Sequence, residues 1–165
     1  MRWFIGAFLI SFVWNGCSED RISFSCFEKF NAAGQRIRSC QDGQWQHVPN
    51  LSIEGSKALA FASGTLFPDA AASENVAVFP YLGNPMTGSF TLKVNTDSIA
   101  GLRVAILDEY RQIIHQQTAL IPAGGGLVVL TGDELKPNLP YLCYFGLYDR
   151  SLSRFHAGFG HLIRE

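Results

Sequence analysis

Charge is scarce in this chain. Only 16% of its 165 residues are Asp, Glu, Lys or Arg, and 13 basic side chains stand against 14 acidic ones. No run of like charges occurs. That excludes an acidic tail, a polybasic membrane patch and the concentrated basic face that nucleic acid requires. Catalytic signatures are missing as well: there is no G-x-S-x-G elbow, no H-E-x-x-H and no phosphate loop. Gly124-Gly125-Gly126 lacks the lysine and the helix that cradle a phosphate, and reads as a flexible strand entry. The four cysteines, Cys17, Cys26, Cys40 and Cys143, include no C-x-x-C pair, so no structural zinc site is expected. His47, His115, His156 and His161 are scattered. His156 and His161 stand five apart, which sets them on opposite faces of one strand. The adjacent acids Asp108-Glu109 and Asp133-Glu134 fall in turn segments, where carboxylates are solvated or cap backbone. No cofactor, metal or catalytic residue is implied. After residue 16 there is no amphipathic helical period and no internal repeat.

What the chain has is apolar side chains, 47% of the total, and a marked beginning. Arg2 precedes an uncharged apolar run, Trp3 to Trp14, followed by Asn15-Gly16-Cys17 and then polar Ser18, Glu19 and Asp20. A charged start, a short apolar core and a small residue before a cut are the parts of an export signal. The run is too short to span ~30 Å of hydrocarbon, which takes about 20 apolar residues. Gly16-Cys17 with its polar follower resembles the lipobox of bacterial lipoproteins, in which the cysteine is diacylated and becomes the first residue. The resemblance implies lipidation at Cys17 and contact with a lipid bilayer through that residue. Cleavage after Ser18, releasing a soluble protein, and a buried helix in an unexported domain remain the alternatives. Without residues 1–16 the chain carries 12 basic and 14 acidic groups, a net charge of −2.

An exported chain lives where disulfides persist. Cys26 pairs with Cys40 in this reading, closing a loop that stabilises by roughly 3 kcal/mol in the chain-entropy model. Cys143 lies inside an apolar run and behaves as a small buried hydrophobe. Ile22 to Phe30 alternates as a strand, Asn31 to Gly34 turns, Gln35 to Cys40 returns, Asp42-Gly43 marks a hairpin and Gln44 to Val48 makes a third strand. The segment Cys40 to Trp45 (C-x-D-G-x-W) resembles the disulfide hairpins of several extracellular modules, among them sushi-type domains. That implies a tryptophan, Trp45, packed near the bridge.

Pro49 to Gly55 reads as a connector. Strand candidates then follow at 57–64, 75–81, 89–95, 102–107, 112–120, 127–131, 141–148 and 154–163, separated by turn signals in the pattern of an all-β sandwich or barrel. Asp108 to Arg111 predicts a tight turn, and Phe67 to Ser73 a loop or one helical turn. Leu135-Lys-Pro137-Asn-Leu-Pro-Tyr141 resembles the Leu-x-Pro-x-x-x-Tyr corner of fibronectin type III and related immunoglobulin-like sandwiches. The resemblance implies that the Tyr141 hydroxyl bonds back to upstream backbone as the next strand opens. The expected fold is all-β: a signal at 1–16, a lipidated N terminus with a disulfide-stapled meander at 17–50, and an immunoglobulin-like β-sandwich at 51–165.

The expected function is that of a non-enzymatic envelope lipoprotein, periplasmic or surface-exposed on an outer membrane. It would dock onto an envelope protein partner or a second copy, with Trp45, Phe155 and Phe159 as candidate contact residues. An apolar final strand at a sheet edge invites such pairing. A carbohydrate-binding or adhesive module and a small periplasmic hydrolase are the alternatives.

Overall fold

Alternation of apolar and polar side chains builds most of this molecule. In Ser89–Asn95 (SFTLKVN) every second residue, Phe90, Leu92 and Val94, is fully buried while the intervening ones face outward. That is the signature of a strand with one face on a core. The computed structural model describes residues 22, 29–30, 36–38, 45–61, 76–81, 88–149 and 155–164. The apolar run 3–14, Cys17, Cys26, Cys40, the Asp42-Gly43 turn and the 67–73 segment lie outside the described residues.

The protein is all-β, with antiparallel sheets and almost no helix. Two short strands, β1 (Lys29–Phe30) and β2 (Arg36–Arg38), pair with each other. Strands β4 (Ala77–Pro80), β5 (Ser89–Asn95) and β8 (Gly126–Thr131) form a three-stranded sheet in the order β4-β5-β8. The other sheet has five strands: β3 (Gln46–Val48), β6 (Ala100–Leu107), β7 (Ile113–Ile121), β9 (Pro140–Tyr148) and β10 (Phe155–Ile163). Their order is β3-β10-β9-β6-β7. One buried cluster draws on both of these sheets, with Phe90, Leu92, Val94, Val128 and Leu130 meeting Leu102, Val104, Ile106, Phe145 and Leu162. Each such side chain, fully buried, contributes about 1.5–3 kcal/mol of transfer free energy. A second cluster covers the other face of the five-stranded sheet, where Leu107, Leu142 and Tyr144 lie against Ile22, Ala58 and Leu59. Strand β9 is therefore buried on both faces, which explains why its sequence, PYLCYFGLY, is a continuous apolar run and not an alternating one.

Two expectations change. The third strand of the meander, β3, does not continue the β1–β2 pair; it pairs antiparallel with β10, Val48 opposite Ala157 and Gln46 opposite Phe159. The cause is Trp45, whose indole needs a core that so polar a meander cannot supply. It finds one over Gly160, where any Cβ would collide with the ring. The connector and first strand expected over 49–64 contain instead a six-residue helix, α1 (Ile53–Ala58). Ser52 caps it, its Oγ accepting from the Gly55 N–H at 3.0 Å. At its other end the Ala58 carbonyl accepts from Gln116, and the Leu59 and Ala60 carbonyls accept from Arg103. A helix this short has no intrinsic stability; the sheet holds both of its ends.

The turns follow their chemistry. Asp108 Oδ1 accepts from the Tyr110 and Gln112 N–H groups at 2.9 and 2.8 Å, Arg111 takes φ +63°, and β6 returns as β7. Gly125, at φ +95°, brings its backbone so close to the Val94 carbonyl that no side chain fits. The glycine triplet thus turns the chain from β7 into β8 at a position only glycine can hold. The Tyr141 hydroxyl accepts from the Lys136 N–H at 2.6 Å and donates to the Lys136 carbonyl at 3.1 Å, the back-bonding that the 135–141 motif implies. Arg164 reaches the Gly132 and Leu135 carbonyls of the same crossover, and its own carbonyl accepts from the Asn138 N–H.

Candidate interaction surface

The outer face of β9 and β10 meets the segment that leads into α1, and a cavity of about 430 Å³ opens between them. Its walls are mainly apolar: Val48, Leu51, Tyr144 and Phe159, with Asn50 and Ser52 at the rim. Phe159 is half-buried here, its ring 6.0 Å from that of Tyr144 and edge-on to His161 at 6.3 Å. A chain of hydrogen bonds fixes the polar side. The Tyr144 hydroxyl donates to Glu54 Oε2 at 3.0 Å, so the Ser52 hydroxyl, 3.2 Å away, donates to Tyr144 while accepting from Gly55. Arg111 closes the chain on Glu54 at 2.8 Å. Burial, joined by the Glu54 carboxylate, raises the Tyr144 hydroxyl above the usual phenol range, so it is a donor at any ordinary pH. The Ser52 hydroxyl bonds the Tyr144 hydroxyl and the Gly55 N–H, and the Glu54 carboxylate is engaged by Tyr144 and Arg111.

The other contact candidates are placed differently. Phe155 opens β10, its backbone paired with Tyr148. Trp45 is 5% exposed and lies in the core, stacked on Phe145 at 5.1 Å and 8°. Its Nε1 donates to the Val78 carbonyl of β4 at 2.7 Å, so one indole ties the five-stranded sheet to the three-stranded one. Cys143 is a free, fully buried thiol, and burial pushes its pKa well above the thiol range, out of reach of oxidants and metals. Asp108 holds its turn, and Asp133 and Glu134 sit in the turn closed by the Leu135 N–H on the Gly132 carbonyl.

One pairing was not legible beforehand. His47 of β3 and His156 of β10 lie with ring centroids 4.1 Å apart and tilted by 44°, beside Phe145. His156 is 5% exposed and neither ring nitrogen has a hydrogen-bond partner. Desolvation against the neighbouring rings lowers His47 to about 4 although the residue as a whole is exposed, and burial together with the neighbouring imidazole lowers His156 to about 3, so both are neutral at pH 7. The spacing of histidines in sequence hides this pair, because it forms only through the β3–β10 register. Among the described residues no three His, Cys, Asp or Glu side chains converge as metal ligands would. No helix among them is long and apolar enough to cross a membrane. No family model, no curated protein and no solved structure matches the chain.

Proposed function

We propose that this chain is a non-enzymatic envelope lipoprotein, anchored through acylated Cys17, that serves as a protein-binding or structural accessory subunit of an envelope assembly. The placing of Gly16-Cys17 directly behind the apolar run 3–14 carries the anchoring half of this reading. More than one acyl chain makes such attachment stable. The binding half rests on the half-buried Phe159 in the wall of an apolar cavity whose Ser52 and Tyr144 hydroxyls are already engaged. A site of that kind suits an apolar side chain of a partner protein better than a reacting substrate.

An immunoglobulin-like sandwich is the fold that goes with this reading. Counting β4 to β10 as seven strands, the first, second and fifth share one sheet and the third, sixth and seventh share the other. The fourth joins the latter, as C′ does in variable-type domains. The Tyr141 hydroxyl bonded to Lys136 supports the same assignment. A sugar-stacking face is less well supported: among the residues whose burial is described, Tyr110 in the β6–β7 turn is the one large aromatic that is exposed.

Cell fractionation of the full chain and of Cys17→Ala tests the anchor. The wild type is expected in membranes and the variant in the soluble fraction; equal distribution overturns the anchor. Cross-linking in native membranes tests the surface. A protein adduct lost in Phe159→Ala and kept in Ile53→Ala supports it, and an adduct indifferent to Phe159 rejects it.

A further inference from the structure

Ile22 is held to the domain in two ways. Its N–H donates to the Glu109 carbonyl of the β6–β7 turn at 3.1 Å, and its buried side chain joins the cluster of Leu107, Ala58 and Leu59. Four residues separate it from Cys17, and however they run, those five steps of chain reach at most ~18 Å. A lipid on Cys17 therefore holds the β6–β7 turn and α1 beside the bilayer. That neighbourhood is apolar at its surface. Ile53 is 70% exposed, Ile113 46% and Tyr110 45%. The Arg111–Glu54 ion pair at 2.8 Å ties the β6–β7 turn to the first turn of α1, so Tyr110, next to Arg111, and Ile53, next to Glu54, belong to one surface. Ile113 pairs with Leu107, which sets it on the sheet face that carries Ile22. Other apolar residues are exposed too, and the tether separates them from this set. Leu120 is as exposed as Ile53, but it stands seven residues along β7 from Ile113, ~23 Å at the rise of a strand. Leu127 and Val129 point off the three-stranded sheet, away from the core it shares with the five-stranded one, whereas Ile22 lies on the far side of the latter.

We propose that Ile53, Tyr110 and Ile113 form a membrane-contact face, seated in the headgroup region of the same bilayer that takes the acyl chains of Cys17. This assignment rests on Cys17 being the acylated residue, as proposed above, and adds the orientation that the lipid alone leaves open. Isoleucine side chains gain by leaving water, and a tyrosine joins an apolar ring to a polar tip, which suits the boundary between lipid and water. Charges around the three residues are mixed, Lys57 and Arg111 against Glu54, Asp108 and Glu109, so the contact is apolar and does not call for anionic lipid. The acyl chains supply the attachment. The face fixes which way the domain stands on the surface.

Tryptophan emission in vesicles of phosphatidylcholine, with and without bromine on the lipid chains, tests it. Trp45 is the one native tryptophan after residue 16 and is buried, so a second tryptophan reports its own surroundings. The full chain is reconstituted as Ile53→Trp, Ile113→Trp, Leu120→Trp and Leu127→Trp, flotation reads whether each is vesicle-bound, and thermal melting confirms each fold. For Ile53→Trp and Ile113→Trp the added emission is expected to shift to the blue and to lose most of its intensity to the brominated lipid. For Leu120→Trp and Leu127→Trp it is expected to do neither. A chain that floats and shows no loss at 53 and 113, or equal loss at all four positions, overturns the face and leaves the anchor standing. A chain that does not float overturns the anchor and the face together.

Discussion

The two flanks of the molecule treat the same problem in opposite ways. At one, the edge of β10 is closed by β3, and Trp45, His47 and His156 are packed in beside Phe145. At the other, β8 ends its sheet with Leu127 and Val129 facing water. The closed flank draws stability from large side chains that fit one place only. The outward side chains of β8, exposed among the described residues, contribute little to the fold. Exposed and buried apolar residues thus differ here in what they do, although their sequences look alike.

The contrast is sharpest at Trp45. Trp45→Ala removes the indole from Gly160 and Phe145 and strands the Val78 carbonyl, and is expected to cost about 3–5 kcal/mol. Leu127→Ala on the open flank should stay within about 0.5 kcal/mol. Urea unfolding of the two variants reads the difference directly; equal losses would erase the distinction between the flanks.

Acid probes the closed flank next. In the unfolded chain His47 and His156 titrate near 6.5, while in the fold burial holds them at about 4 and about 3. Above pH 6.5 both states carry neutral imidazoles and the pair adds no pH dependence. Below it the unfolded chain binds protons that the fold refuses. Stability therefore falls as pH drops from 6.5 towards the folded values, chiefly through the buried His156, since His47 is exposed and its share is screened by solvent. Urea midpoints measured at pH 7, 5.5 and 4.5 should decline in step, and His156→Leu should flatten that decline. An unchanged slope in the variant would remove the pair as its cause.

A smaller effect belongs to the crossover between the sheets. Tyr141→Phe deletes two hydrogen bonds to Lys136 and leaves a partly buried N–H and carbonyl unmatched. A loss of about 1–2 kcal/mol is expected, read as a lower melting temperature. No measurable change would make the corner decorative.

Local signals made part of this fold legible. The alternation in SFTLKVN marks β5, and the Asp108 turn and the Tyr141 corner follow from side chains acting within a few residues of themselves. What stayed hidden is non-local or too short. Helix α1 spans less than two turns, so it has no period to detect; only Ser52 ahead of Glu54 hints at its cap. The partner of β3 lies far along the chain, and no turn residue announces a pairing of that range. The Glu54–Arg111–Tyr144 chain and the histidine pair inherit the same obscurity, since each depends on strands brought together late.

The slot for Trp45 has a consequence for biosynthesis. The indole is translated long before Gly160, over which it sits on β10. Until that glycine leaves the ribosome, the indole lacks the wall that β10 provides, and β9 lacks its β10 neighbour. The seat of Trp45 is therefore completed only after most of the described strands have been synthesised.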